Sequence, residues 1–426
     1  MSRIVKLPFQ KAAAATTSTT AYRNNADQVV PTLVEISSPK RNDQIKKVIE
    51  TLCPFLSEKF SDLDIQPLGG GLSNELFVVE QQVLVRIHPA APTQEDGCSV
   101  VDRDVEPKMA AWLADQKMAP IMYGRFENGR IEEFYPNVVP LSCHDMPAFS
   151  SQIGTILARF HTLQMPSTIL PKPADSSTEN SNENNSYTSP YSHFDGIDRW
   201  LQILHSKQEN SDHKDVEDSS SSLLGQVETE WQWLKNELST ETLSSKVEDT
   251  PTSSSALHFI REVVFTHMDC QSLNLLRPKE DNSETTTTSD QPPLKLIDFE
   301  YAGWNPRAAD LANTFCEFTD MNNLCAKYES EYPSTEIQNI FLLAYLNEAN
   351  PEWFAAIKEN EEILKNAVLP AMRQEIGRFT LLSHIGWTIW SLVKDQEESG
   401  IDFDYIQYAR HRMDGYKLFK TWFFDQ

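Results

Sequence analysis

Two short apolar runs, each leading to an acid, leave few ways to fold this chain. The first is Val263-Val264-Phe265, which continues through Thr266, His267, Met268, Asp269, Cys270, Gln271, Ser272, Leu273 and Asn274 into Leu275-Leu276. The second is Leu294-Lys295-Leu296-Ile297, ending at Asp298. Short buried strands on both sides would hold the intervening polar loop rigid. The polar stretch 279–293 can bulge outward while the strands pair, so Asp269 and Asp298 meet across one cleft. Asp269 is then placed to accept a proton from an attacking hydroxyl, and Asn274 and Asp298 to hold a metal that bridges phosphates. Mg²⁺ suits such a site, because it takes few carboxylates and completes its shell with phosphate oxygens and water. Each half also has a plainer reading: a loop that holds His, Asp and Asn by coincidence, and a strand-end acid that merely turns the chain.

The spacing His267-x-Asp269-x-x-x-x-Asn274 is that of kinase catalytic loops, and Asp298-Phe299-Glu300 stands where kinases place Asp-Phe-Gly, with Glu300 in place of the glycine. Upstream, Leu68-Gly69-Gly70-Gly71-Leu72-Ser73-Asn74 is a loop whose glycines let backbone N–H groups approach a phosphate. Gly70, Gly71, Ser73 and Asn74 are the candidate nucleotide contacts. The loop is neither a Walker A sequence nor Gly-x-Gly-x-x-Gly, and alone it reads equally as a glycine-rich turn. Arg86 is the single cation in the strand Val83–Ile87, and Glu106 on the following helix is its expected ion-pair partner. An edge-strand arginine and a surface glutamate are the alternative.

Hydrophobic periodicity predicts an amphipathic helix over Gln44–Phe60, strands over Ile65–Val79 and Val83–His88, a helix over Asp102–Gln116, and a hairpin from Ile121–Phe126 to Arg130–Phe134. Beyond it the 3.6-residue period dominates: Phe149–Thr162, Trp200–His205, Val227–Leu238, Ile337–Leu346, Pro351–Leu364, Pro370–Val393 and Tyr405–Trp422. The division expected is a disordered leader over 1–43, a nucleotide-binding lobe over 44–135 and a helical lobe over 136–426. Polar insertions near 171–190, 207–222, 239–255 and 279–293 interrupt the second lobe. With 426 residues, 40% of them apolar, the chain can bury a large core. A net charge of −25 disfavours nucleic acid or an anionic membrane as partner and is easily reconciled with a cationic substrate. Six scattered cysteines without a Cys-x-x-Cys pair fit free thiols in the cytoplasm, and no apolar run is long enough to span a membrane. Residues 1–26, basic and rich in Ser, Thr and Ala, share the composition of a transit peptide, the minority reading beside a cytoplasmic one.

The order of glycine-rich turn, arginine strand, helix glutamate, His-x-Asp-x-x-x-x-Asn and Ile-Asp-Phe-Glu resembles the choline/ethanolamine kinase family. The run from Ile297 to Phe318 looks like that family's signature after the metal aspartate. Ser383–Trp390 and Phe403–Met413 look like its C-terminal helices, and Gly129–Phe134 with Ala158–His161 look like its hinge and first C-lobe helix. The resemblance implies an α+β, protein-kinase-like bilobal fold, with a small antiparallel-sheet N-lobe and a large, mostly helical C-lobe. It implies Mg²⁺- and ATP-dependent phosphorylation of choline or ethanolamine, the first step of the route to phosphatidylcholine and phosphatidylethanolamine, with a homodimer left open as the assembly. Asp269 would be the base, Gln271 and Asn274 active-site polar groups, Asp298 with Asn274 the metal site, and Arg86 a phosphate contact. Glu317, Trp387, Trp390, Tyr405 and Tyr408 would form the pocket for the ammonium head, where cation–π attraction explains the rings. Trp residues one turn apart on an apolar helix are otherwise usually core. Two departures stand out: Phe318–Cys325 replaces tyrosine-rich acidic sequence, and Tyr135–Pro140 lacks a glycine often found there. A small-alcohol phosphotransferase of the aminoglycoside type would share the catalytic loop but not the 299–318 segment. An inactive kinase-fold binding protein is disfavoured by the joint presence of Asp269, Asn274 and Asp298.

Overall fold

The computed structural model describes residues 24–69, 74–88, 105–172, 191–209, 219–240, 253–279, 293–321, 327–397 and 403–424. The first lobe is a six-stranded sheet in the order β1-β5-β6-β4-β3-β2. Its strands are β1 (Val29–Val30), β2 (Ile65–Leu68), β3 (Glu75–Val79), β4 (Val83–Ile87), β5 (Met122–Phe126) and β6 (Gly129–Glu133). The expected hairpins form: Leu76 faces Arg86 across β3 and β4, and Arg86 faces Arg130 across β4 and β6. Glu80 and Gln81 turn the first hairpin with φ of 53° and 54°.

Two expectations are corrected here. The periodic stretch 44–60 is not one helix but α1 (Arg41–Leu52) and α2 (Pro54–Lys59), broken at Cys53, whose φ of −131° and ψ of 55° are not helical. Pro54 has no N–H to donate and crowds the residue before it, so the helix must restart. Residues 24–43, assigned to the leader, include β1, which pairs in parallel with β5 and gives the sheet its one non-antiparallel edge. Val30, Val34, Ile45, Val48, Ile49 and Leu52 join Phe77, Val79, Val85 and Ile131 in the core of this lobe. A helix α3 (Glu106–Asp115) follows β4, beginning later than expected.

The second lobe is helical around a larger core. A strand β7 (Val138–Pro140) and α4 (Met146–His161) lead to α5 (Ser192–Glu209), α6 (Ser219–Thr240) and α7 (Ser253–Arg261). Then come β8 (Val263–Thr266), the catalytic-loop segment, β9 (Leu275–Pro278), β10 (Lys295–Leu296), β11 (Gly303–Pro306) and α8 (Arg307–Cys316). The chain closes with α9 (Tyr328–Glu331), α10 (Thr335–Ala349), α11 (Pro351–Lys358), α12 (Glu361–Ile363), α13 (Leu369–Asp395) and α14 (Tyr405–Phe423). The strands flanking the loop pair as the sequence requires: Leu276 faces Lys295 and Leu275 faces Leu296. On the other side β8 pairs with β11, a strand the periodicity did not reveal. Residues 173–190, 210–218, 241–252 and 280–292, most of the polar insertions, lie outside the described residues. Among the described residues no helix is long and apolar enough to cross a membrane.

Candidate active site

His267 shows how the chain brings two loops to one place. Its Nε2 lies 3.1 Å from the carbonyl of Ile297, and its Nδ1 receives the amide N–H of Asp269 at 3.2 Å. A carbonyl can only accept, so Nε2 carries the proton and Nδ1 is the acceptor. Burial holds the ring below the usual histidine range, in its neutral form. One buried imidazole thus ties the backbone of Asp269 to the residue before Asp298. From the other side, Asp310 on α8 accepts the amides of His267 at 2.7 Å and Met268 at 2.9 Å. Its Oδ2 also accepts from His161 Nε2 at 2.9 Å, and His161 Nδ1 lies 2.6 Å from the Tyr345 hydroxyl. Burial alone would raise the Asp310 carboxyl, but the bond from His161 leads the interactions that hold it below its ordinary value. Desolvation keeps His161 neutral.

Asp269 is 7% exposed. Asn274 Nδ2 donates to its Oδ2 at 2.8 Å and to its carbonyl at 2.9 Å, and Gln271 Nε2 reaches Oδ1 at 3.4 Å. Burial, then the fields of Asp298, Glu317 and Glu300, push this carboxyl well above the usual carboxylate range. Asp269 therefore lies in the field of three other carboxylates, which favours a cation beside it. Asp298 adopts a φ of 66°, a left-handed conformation rare for a non-glycine, and Met268 beside Asp269 has a φ of 63°. Asp298 Oδ1 is buried without a hydrogen bond, and Arg86 Nη1 lies 3.6 Å from it. An unsatisfied carboxylate oxygen, on the residue after Ile297, whose amide donates to the Asn274 carbonyl at 3.1 Å, fits a cation ligand. Among the described residues no group of three or more His, Cys, Asp or Glu is arranged to hold a metal ion by itself.

Arg86 reaches across the cleft from β4, and Glu132 on β6 lies 3.6 Å from its Nε. The partner expected for it, Glu106, bonds to Arg130, which also bonds to Glu132. The reason is register: Arg86 and Arg130 are cross-strand neighbours, so two cations and two carboxylates share one buried cluster. Glu106 still lies within the field of Arg86. Arg130 and Glu132 could not be singled out from the sequence because they look like ordinary hairpin residues. Asn74 is buried with its Oδ1 2.6 Å from His88 Nδ1, near the end of β4. Gly70, Gly71 and Ser73 lie outside the described residues.

The aromatic residues do assemble. Trp387 and Trp390 on α13 have ring centroids 5.4 Å apart, and Trp390 meets Tyr405 of α14 at 5.9 Å. Phe403 bridges Tyr405 at 4.9 Å and Tyr408 at 5.6 Å. Tyr301, two residues after Phe299, packs on Trp387 at 5.2 Å and accepts from the Trp390 indole at 2.8 Å. Neither Phe403 nor Tyr301 was singled out from the sequence, although Tyr301 sits inside the segment that carried the resemblance. Glu317 is 8% exposed and is not a free countercharge: Arg412 Nη2 donates to its Oε1 at 2.7 Å. Arg412 Nε donates in turn to the Tyr408 hydroxyl at 2.9 Å. Burial pushes that phenol up to about 12.

A small sheet lobe, a helical lobe and a buried His-x-Asp loop facing a strand-end aspartate define a phosphotransferase of the protein-kinase-like class. The family model described as choline/ethanolamine kinase matches residues 65–417. The chain belongs to that family. It is 28% identical over 375 residues to a choline/ethanolamine kinase of Rattus norvegicus, covering 83% of this chain and 80% of the relative. A probable choline kinase 3 of Arabidopsis thaliana is 26% identical over 410 residues, covering 91% and 95%. Among solved structures, a Plasmodium vivax ethanolamine kinase superposes with a TM-score of 0.64 at 20% identity, covering 92% of this chain and 93% of that one.

Proposed function

We propose that the chain transfers the terminal phosphoryl group of ATP to the hydroxyl of choline or ethanolamine, giving phosphocholine or phosphoethanolamine. The observation that carries this reading is that α8 joins the two parts of the site: Asp310 accepts the Met268 amide beside Asp269, and Asn313 bonds both the Met268 carbonyl and the Trp387 indole of the aromatic cluster. As the substrate oxygen bonds to the γ-phosphorus and the bond to the ADP oxygen breaks, Asp269 accepts the hydroxyl proton. Asn274 and Gln271 orient its two oxygens. A divalent ion, Mg²⁺ in this reading, would be held by Asp298 and Asn274 and would neutralise charge on the phosphate oxygens. Arg86, drawn toward Asp298, is positioned to contact the same phosphates. A quaternary ammonium donates no hydrogen bond but lies well against rings, so the wall of Trp387, Trp390, Tyr405 and Tyr408 modestly favours choline. The free thiols Cys53, Cys143, Cys270 and Cys316 support a cytoplasmic setting.

A coupled ADP assay with both amines tests the reading, and two variants test the pocket. Trp387→Ala or Tyr408→Ala raises the KM for the amine by more than about tenfold, as expected for losing roughly 1–2 kcal/mol of desolvated cation–π attraction. The KM for ATP stays nearly unchanged. A folded variant whose ATP constant rises while its amine constant is unmoved would place these rings in the core or the nucleotide lobe instead.

A further inference from the structure

Asn313 stands between the base and the aromatic wall. It is 1% exposed on α8, one turn beyond Asp310. Its Oδ1 accepts from the Trp387 indole at 2.8 Å and from the Ser383 hydroxyl at 2.7 Å, and its Nδ2 donates to the carbonyl of Met268 at 3.1 Å. The orientation of the amide is fixed by chemistry, because an indole N–H can only donate and a carbonyl can only accept. Met268 is the left-handed residue immediately before Asp269, and α8 grips both of its backbone groups: Asp310 takes the N–H and Asn313 supplies a donor to the C=O.

We propose that Asn313 is a positioning residue that couples the seating of the amine to the placement of the catalytic base. This rests on reading Trp387 as an amine contact and Asp269 as the base. An amide side chain suits this role because it offers one oxygen with two acceptor sites and a donor on the same short stem. Aspartate lacks the donor and alanine lacks both. Through this amide, an amine that shifts the Trp387 ring pulls on the backbone carrying Asp269. An ill-fitting head group therefore lowers turnover as well as affinity, and the pocket reports its occupancy to the base without any charged group between them.

The test is a cycle of Asn313→Ala, Trp387→Phe and the double variant. Trp387→Phe keeps an aromatic ring and removes the N–H that reaches Asn313 together with one of the two fused rings. Asn313→Ala is expected to raise the amine KM and lower kcat by about tenfold each, within the range by which small misplacements slow catalysis, and to leave the ATP KM within about twofold. Trp387→Phe lowers kcat several-fold in the wild-type background and adds almost nothing to Asn313→Ala, the non-additivity of a shared contact. Hydrogen exchange without substrates gives an independent readout: both single variants speed exchange across residues 265–276 several-fold and leave the β3–β4 hairpin unchanged. Additive kinetic effects, or a Trp387→Phe protein whose 265–276 segment exchanges as in wild type, would overturn the coupling and leave Asn313 as a packing residue. Wild-type protein that turns over neither amine would refute the functional reading instead, and the exchange comparison would still decide the coupling.

Discussion

Asp269→Asn lowers amine phosphorylation by about 10³-fold or more, within the range expected when a general base is removed, and does so without destabilising the fold. Asp298→Ala abolishes turnover as completely, because the buried Oδ1 that accepts no hydrogen bond would lose its role as cation ligand. The stability half of the expectation follows from the direction in which Asp269 titrates. Burial first, and then Asp298, Glu317 and Glu300, raise its folded-state pKa. A carboxyl raised on folding stabilises the folded state while protonated, at pH below its unfolded value, and that contribution is lost as pH rises through the folded value. At any pH above the unfolded value the raised carboxyl opposes folding, and asparagine removes that opposition while still accepting from Asn274. Asp269→Asn should therefore melt at or above the wild-type temperature at pH 7, with the difference shrinking as the pH is lowered. Near-wild-type turnover in an ADP-coupled assay would contradict the catalytic assignment. A clear loss of thermal stability at neutral pH would contradict the electrostatic one.

Arg412→Met destabilises the protein by about 3–5 kcal/mol, the loss expected when one member of a buried ion pair is removed and the other is left uncompensated. Arg412 is 1% exposed, and its guanidinium is shared between Glu317 at 2.7 Å and the Tyr408 hydroxyl at 2.9 Å. It also lies 5.2 Å from the centroid of the Tyr408 ring and 5.9 Å from that of Trp387. Methionine fills similar space but leaves Glu317 as a buried carboxylate without its cation. Adding Glu317→Gln removes the stranded charge and should restore most of the lost stability, although not the amine affinity. Urea unfolding of the two variants measures this. A single Arg412→Met change within about 1 kcal/mol of wild type would mean that Glu317 is solvated well enough to stand alone.

The placement of the candidate site was legible in the sequence because it is local. Asp269 and Asn274 lie in one loop between apolar runs, Asp298 follows a strand, and the β9–β10 pairing brings the two segments together as the polar gap between them allows. The Trp387–Trp390 and Tyr405–Tyr408 pairs were visible because one helical turn puts each pair on one face. Helix α8 was hidden for a physical reason. All ten of its residues are buried, so its polar face of Arg307, Asp310, Asn313 and Thr314, which in the sequence reads as a solvent face, turns into the protein and holds the 265–276 loop. Arg412 falls one turn after Tyr408 on the same helix face, but an arginine in Ala409-Arg-His-Arg412 reads from the sequence as a solvated side chain like the exposed Arg410. Strand β1 has two residues, too short for any periodicity to appear. The partner of Glu106 depended on the β4–β6 register, a tertiary fact that spacing along the chain does not contain.

Whether this chain is an amino-alcohol kinase is decided by incubating the purified full-length protein with ATP, Mg²⁺ and either choline or ethanolamine and following the products by phosphorus NMR. The expected result is release of ADP matched by a new phosphomonoester of at least one of the two amines, absent from the Asp269→Asn protein. Folded wild-type protein that binds ATP yet forms no phosphomonoester with either amine would contradict it.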